Sequence, residues 1–348
     1  MSGGAWSLEA PAAKVVVNTA IAALNIPGVS KMSFPVNQVA AIKQYTNPEL
    51  LFNAVDAPLM LGFKREGVDR PSLLPLQDGT VVSLDGTLAS IKNGNAAGVP
   101  FLVGHCDDEL KFFSEVFGSV VGYFADVIPQ GPAGATRHLR GYFHRTPSQD
   151  KPEDTAAWIE AGRRFFDGMK GIMKGRTDAD VSTAVGSFFR FVLPSFEVAA
   201  AAVAAGQPVY MYNFAYDTPH FGASHTCDLP FFFGRTKKDS VGSDYWKTQW
   251  LGVTEAEWPE GDAMSDAMMG TLGSFARSGA PEPFRGVHWD GFPSKMTLNA
   301  KPSPTTATSL ETELFGTVKS YLLGNVAGLD ATSQAAATSD FAYRHGRV

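Results

Sequence analysis

The chain has 348 residues, 44% hydrophobic and 18% charged, with a formal net charge of −6. That length supports one large domain or two ordinary ones around a sizeable core, and an acidic chain without a Lys/Arg cluster excludes nucleic acid as a natural partner. The longest near-apolar stretch, Val198 to Ala205, is too short for a bilayer-spanning helix.

The opening Met1-Ser2-Gly3-Gly4-Ala5-Trp6 has neither a basic nor an apolar region of the secretory kind. Residues 8–57 read as mixed helix and turn. Residues 58–98 are rich in Gly and Pro and read mostly as loop, with Asp78-Gly79 a turn signal. Val99 to Val103 is a short apolar run closed by Gly104, which predicts a strand buried on both faces with Pro100 near its start. Leu110 to Phe124 reads as an apolar helix, and 128–135, with two Pro and two Gly, as loop. Trp158, Phe165, Phe166 and Met169 recur at helical spacing and predict a helix over 158–174. A third helix is expected over about 180–193, and a fourth opens at Pro194 and ends at Gly206. Tyr210, Tyr212, Phe214 and Tyr216 alternate with Val209, Met211, Asn213 and Ala215, the period of a strand. Helices are expected over 262–278 and 313–323, with a Pro-rich connection over 280–308. Strands separated by long helical stretches argue for an α/β fold, although two strands make a small sheet for this length.

Two segments follow the two expected strands: Gly104-His105-Cys106-Asp107-Asp108-Glu109-Leu110 and Gly222-Ala223-Ser224-His225-Thr226-Cys227-Asp228-Leu229-Pro230. Sites in open α/β sheets assemble beyond the carboxyl ends of strands. A histidine among small residues can stand in a cleft, and a carboxylate on its Nδ1–H would fix the tautomer and stabilise the imidazolium. Asp107, Asp108 and Glu109 are all candidate partners for His225, and their distance along the chain leaves contact undecided.

The second segment sits inside Pro208-Val209-Tyr210-Met211-Tyr212-Asn213-Phe214 and Asp228-Leu229-Pro230-Phe231-Phe232-Phe233-Gly234. This resembles the pattern around the catalytic histidine of type B carboxylesterases, relatives of the cholinesterases in the α/β-hydrolase superfamily. Val99 to Gly104 with Asp108-Glu109 resembles the family's strand and acid element. Phe275-Ala276-Arg277-Ser278-Gly279-Ala280-Pro281 with Trp289, Leu74-Pro75-Leu76-Gln77-Asp78-Gly79, and Met1-Ser2-Gly3-Gly4-Ala5 resemble three further elements, all in family order. The resemblance implies the C-terminal portion of an α/β-hydrolase fold over residues 1–323; the stretch over 324–348, rich in Ala, Ser and Thr, reads as a loosely ordered tail. It implies hydrolysis of a small-molecule carboxylic ester, with His225 as general base, Glu109 as the acid that orients it, and no cofactor. The family also contains members that have lost the serine and act as binding or adhesion proteins, which is the alternative reading. Thr226 and Leu110 depart from the glycines usual beside the histidine and the acid.

The fold's nucleophile elbow is Gly-x-Ser-x-Gly, and no serine here sits in one. The segments around Ser30 and Ser224 lack the second glycine and that around Ser240 lacks the first. No His-Gly-Gly oxyanion element occurs either. In the family both elements, and most of the central sheet, precede the part matched here. The expectation is an incomplete sheet, a chain that alone does not hydrolyse esters, and a missing N-terminal half as partner.

Cys106 and Cys227 read as buried small hydrophobes rather than a nucleophile or a disulfide. Asp228 reads as a structural hydrogen-bonding residue. His105, His138, His144, His220 and His288 share no metal-ligand spacing, so no metal is expected. Phe188-Phe189-Arg190-Phe191 could line an acyl pocket, though such a stretch within a helix is more often core.

Overall fold

The computed structural model describes residues 80, 86–112, 130–143, 150–237, 251–252, 254, 256–306 and 309–329. The expected helix and turn of 8–57, the Asp78-Gly79 turn, most of the 110–124 helix and the tail beyond 329 lie outside them. The chain divides into two compact units. One comprises Met1–Ala5, Ile91–Arg140 and Asp150–Ala331; the other comprises Trp6–Ser90, Gly141–Gln149 and Thr332–Val348. In the second unit, Tyr142 and Phe143 pack edge to face, their ring centroids 5.0 Å apart.

Along the chain the elements are α1 (Thr87–Lys92), β1 (Phe101–Cys106), α2 (Gly131–Tyr142) and α3 (Pro152–Ile172). Next come α4 (Asp178–Ser187), a π-helical turn (Phe188–Val192), α5 (Leu193–Ala204), β2 (Val209–Phe214) and α6 (Leu229–Phe232). α7 (Trp258–Ser278), β3 (Ser294–Leu298), β4 (Ser303–Thr306) and α8 (Leu310–Asn325) complete the order.

The described strands form one sheet in the order β1-β2-β3-β4. β1 lies parallel to β2, with Phe101 opposite Val209 and Cys106 opposite Phe214. β3 is parallel to β2, and β4 returns antiparallel beside β3. The period-two pattern sets what each face carries. Tyr212, Phe214, Met296 and Leu298 join Phe231, Phe232, Met264 and Met268 in one core cluster that ties α6 and α7 to the sheet. Val103 and Met211, of the other parity, are buried as well, and α5 packs on β1 and β2. Gly104 is required by this packing: a Cβ there would lie 2.4 Å from the Tyr212 ring.

α3 shows how sequence becomes helix. Pro152 occupies the first turn, where its missing N–H costs nothing. The Asp154 side chain accepts from the Lys151 amide at 3.1 Å, capping the start. Ala157, Trp158, Ala161, Phe165 and Met169 then recur every three or four residues and are buried, while Arg163 pairs with Glu160 and Asp167 on the exposed side. α8 packs along α3. Phe165, Phe188, Phe189 and Phe315 meet there as one aromatic cluster, with centroids 5.2 to 5.5 Å apart between Phe165 and its two neighbours on the π-helical turn.

Four expectations change. Residues 131–135 of the expected loop are the start of α2, because Pro132 falls in the first helical turn rather than breaking a helix. The two helices expected on either side of Pro194 form one continuous run, Asp178–Ala204. The wider π-helical turn before Pro194 accommodates its ring and its missing donor. The connection over 280–308 contains β3 and β4, whose few residues and flanking prolines hide the strand period. The strand expected over 99–103 runs instead over Phe101–Cys106, since the paired backbone continues through Gly104. By length and composition the Asp178–Ala204 run could cross a membrane, but 61% of its most apolar window is buried inside the molecule, the position of a core helix.

The aromatic cluster generates a stability prediction. Phe165→Ala should cost about 3–5 kcal/mol in a denaturant titration, whereas Ile159→Ala, on the exposed side of the same helix at 59% exposure, should change stability by less than about 0.5 kcal/mol.

Candidate active site

The site is an extension of the β1–β2 ladder. Beyond Cys106 the Asp107 amide donates to the Phe214 carbonyl at 2.9 Å, and the Asp108 amide donates to the Ala223 carbonyl at 2.9 Å. Asp108 and Ser224 form a parallel bridge. The His225 amide then donates to the Glu109 carbonyl at 3.2 Å. Two chain segments that follow neighbouring strands are thereby held side by side, and their side chains meet.

His225 Nδ1 lies 2.6 Å from Glu109 Oε2, although the two residues are 116 positions apart in sequence. The Glu109 side chain is fully buried, while that of His225 keeps 22% of its surface exposed. Glu109 Oε1 accepts from the Cys106 amide at 2.7 Å, so both carboxylate oxygens are engaged and the group cannot swing. A carboxylate this close takes the Nδ1–H, which leaves the Nε2 lone pair to act as a base. The Leu110 amide donates to Ser187 Oγ at 3.1 Å, tying the acid's turn to α4.

Of the other two acids, Asp107 accepts from Asn213 Nδ2 at 2.8 Å, and Asp108 is exposed at the rim of the same turn. Asp228 is fully buried and accepts from the Tyr212 hydroxyl at 2.9 Å. Burial pushes its carboxyl above the ordinary range. Cys106 and Cys227 are both free and buried, and burial pushes both thiols up, so neither is poised as a thiolate. Ser224 is fully buried beside Cys227, with 3.4 Å between Oγ and Sγ; it faces the core rather than a substrate. Ser30 and Ser240 lie outside the described residues. Among the described residues no cluster of three His, Cys, Asp or Glu side chains could hold a metal ion.

The Phe-rich stretch divides between the two readings open to it. Phe188 and Phe189 are core, whereas the Phe191 ring lies 4.8 Å from the His225 ring at 43°. The π-helical turn carries all three, and no sequence period announces which ring will reach the histidine. Thr226, directly after His225, has φ 68°. That is the left-handed region, where a β-branched side chain is strained.

His105 points elsewhere. It is buried at 3% exposure, and Nδ1 sits 3.2 Å from the Cys106 carbonyl. Burial first, and the nearby Lys295 charge second, push its pKa down to about 3, against the pull of that hydrogen bond.

Two outcomes follow from this geometry. Thr226→Gly should raise the unfolding free energy by about 1 kcal/mol, read from the denaturant midpoint; no change would mean that the threonine's contacts offset its strain. The second concerns pH. Between the ordinary histidine value of 6.5 and about 3, the unfolded chain binds a proton that folded His105 refuses. Stability from this residue is therefore full above 6.5 and lost as pH falls toward 3. Equilibrium unfolding of His105→Asn across that window should show a shallower acid limb than the parent, the difference approaching about 1.4 kcal/mol per pH unit.

With the geometry in place, comparison with known proteins is informative. The model of the carboxylesterase family matches residues 29–315. Comparison with curated proteins finds no match. Among solved structures, a carboxylesterase from Geobacillus stearothermophilus is similar, with a TM-score of 0.53 and 19% sequence identity. The alignment covers 90% of this chain and 62% of that enzyme, so the chain spans less than two thirds of its relative's length. The shared architecture is the α/β-hydrolase fold with its sheet only partly formed in the described residues. A family match across most of the chain, on a fold of that kind, places this protein in the carboxylesterase family.

Proposed function

We propose that the chain carries the base and the orienting acid of a serine-type carboxylic ester hydrolase, His225 and Glu109. The 2.6 Å contact between a partly exposed imidazole and a fully buried carboxylate supports this reading above any other observation. In the proposed reaction His225 Nε2 takes the proton of a serine hydroxyl as its oxygen attacks the ester carbonyl. Buried Glu109 stabilises the imidazolium that forms. The imidazolium then returns the proton to the departing alcohol, and water repeats the sequence to release the acid. The substrate is a small carboxylic ester.

The chain contains no Gly-x-Ser-x-Gly, so the nucleophile and the oxyanion donors come from an N-terminal segment of the family type, acting as partner. The chain alone is inactive. Purified chain should not turn over a short-chain aryl ester above buffer. Co-expression with a carboxylesterase segment bearing Gly-x-Ser-x-Gly should restore turnover. His225→Ala in that assembly should lower kcat by about 10⁶-fold, and Glu109→Gln by about 10⁴-fold. Turnover by the isolated chain that His225→Ala abolishes would place the nucleophile within it. Restored turnover indifferent to His225→Ala would remove the histidine from the mechanism.

A further inference from the structure

A second feature lies outside the His225–Glu109 pair. A partly open cavity of about 650 Å³ is lined by the ends of β1, α3 and α4, by the chain after β2, by β3 and by the start of α8. That volume is in the range of small-molecule sites. Neither His225 nor Glu109 belongs to its described lining.

The unusual member of the lining is Lys295. It sits on β3, opposite Met211 of β2 and Thr305 of β4, and is 8% exposed. Lysine is among the residues least often buried without a partner. Yet among the described residues its ammonium makes no hydrogen bond and no ion pair within 4 Å. A largely buried lysine that lines a cavity, with no partner for its amine among the described residues, is a group left available to a ligand.

The surroundings narrow the ligand's chemistry. Asp107, held by Asn213, and Glu311, in the first turn of α8, line the cavity with Lys295. His105 borders it as a neutral imidazole. Asp108, Asp180, Asp217, Lys111 and Arg176 complete the charged part of the lining. Carboxylates outnumber cations, which disfavours an anionic ligand, and a cation would meet Lys295 itself. Met169, Met173 and Phe188 supply apolar wall. An uncharged molecule able to use an amine fits best.

We propose that Lys295 forms a Schiff base with a small uncharged aldehyde in this cavity. The amine lone pair attacks the carbonyl carbon, making a C–N bond while the C=O π pair moves to oxygen. The nitrogen loses one proton and the oxygen gains one, giving a carbinolamine. Proton transfer to the hydroxyl expels it as water and leaves the C=N bond. Asp107 and Glu311 are the cavity carboxylates that relay these protons. Nothing is oxidised or reduced. Burial supports the step by lowering the Lys295 pKa, against the raising influence of Asp107 and Glu311, so more of the free amine is present near neutrality.

The test uses the full chain. Propanal and sodium cyanoborohydride are added, and alkylation at each lysine is followed by peptide mass spectrometry over a range of pH. Lys295 should be modified at least about ten-fold faster than exposed Lys92 and Lys174 near pH 7, with its rate reaching a plateau at lower pH than an ordinary lysine amine allows. Glyoxylate, an anionic aldehyde, should label it more slowly than propanal. Labelling of Lys295 no faster than that of Lys92 and Lys174 would overturn the proposal, and faster labelling by glyoxylate would overturn the charge assignment of the cavity.

Discussion

The parallel pairing of β1 with β2 is the constraint on which the rest of this structure depends. A parallel ladder admits one register where both faces are buried, because a one-residue slip would turn every side chain to the wrong face. Here a slip would also drive the Tyr212 ring off Gly104 and onto a neighbour with a Cβ. The register is therefore fixed by packing, and the backbone contacts that continue past the strands inherit it. The Glu109–His225 contact is the last rung of that ladder. Its precision comes from the sheet core beneath it and needs little from the loops themselves.

A second source of order approaches the same histidine from the helical layer. The aromatic cluster of Phe165, Phe188, Phe189 and Phe315 fixes the π-helical turn, and the turn aims Phe191 at the imidazole. The Leu110 amide bonded to Ser187 ties the acid's own turn to the preceding helix. The histidine and its carboxylate are thus braced by two independently packed layers. Preorganisation of this kind lets the hydrogen bond stand without a further ordering cost.

Much of this was legible in the sequence, for identifiable reasons. Val-Tyr-Met-Tyr-Asn-Phe shows its strand period openly because one parity is aromatic. Trp158, Phe165 and Met169 show a helix because they recur on one stripe. Motif resemblance named Glu109 and His225 together, and the geometry explains their contact where spacing could not, since contact between residues so far apart is a property of the ladder. The failures are equally physical. Ser-Lys-Met-Thr-Leu is too short to display a period and is framed by prolines, so β3 was hidden, and with it the buried Lys295. Pro132 read as a breaker because its role depends on whether it falls in a first turn. Phe191 could not be separated from Phe188 and Phe189, since a five-residue turn shifts the stripe that 3.6-residue spacing would assign.

The exposed strand β4 has a consequence for self-association. Its four residues, Ser303–Thr306, are all exposed, and Pro304 stands opposite Met296. A proline in an edge strand withholds one of the amide donors through which a second molecule could extend the sheet. Among the described strands the short antiparallel return thus terminates the parallel sheet on that side, and a solvated edge that would otherwise template aggregation is blunted by a single residue.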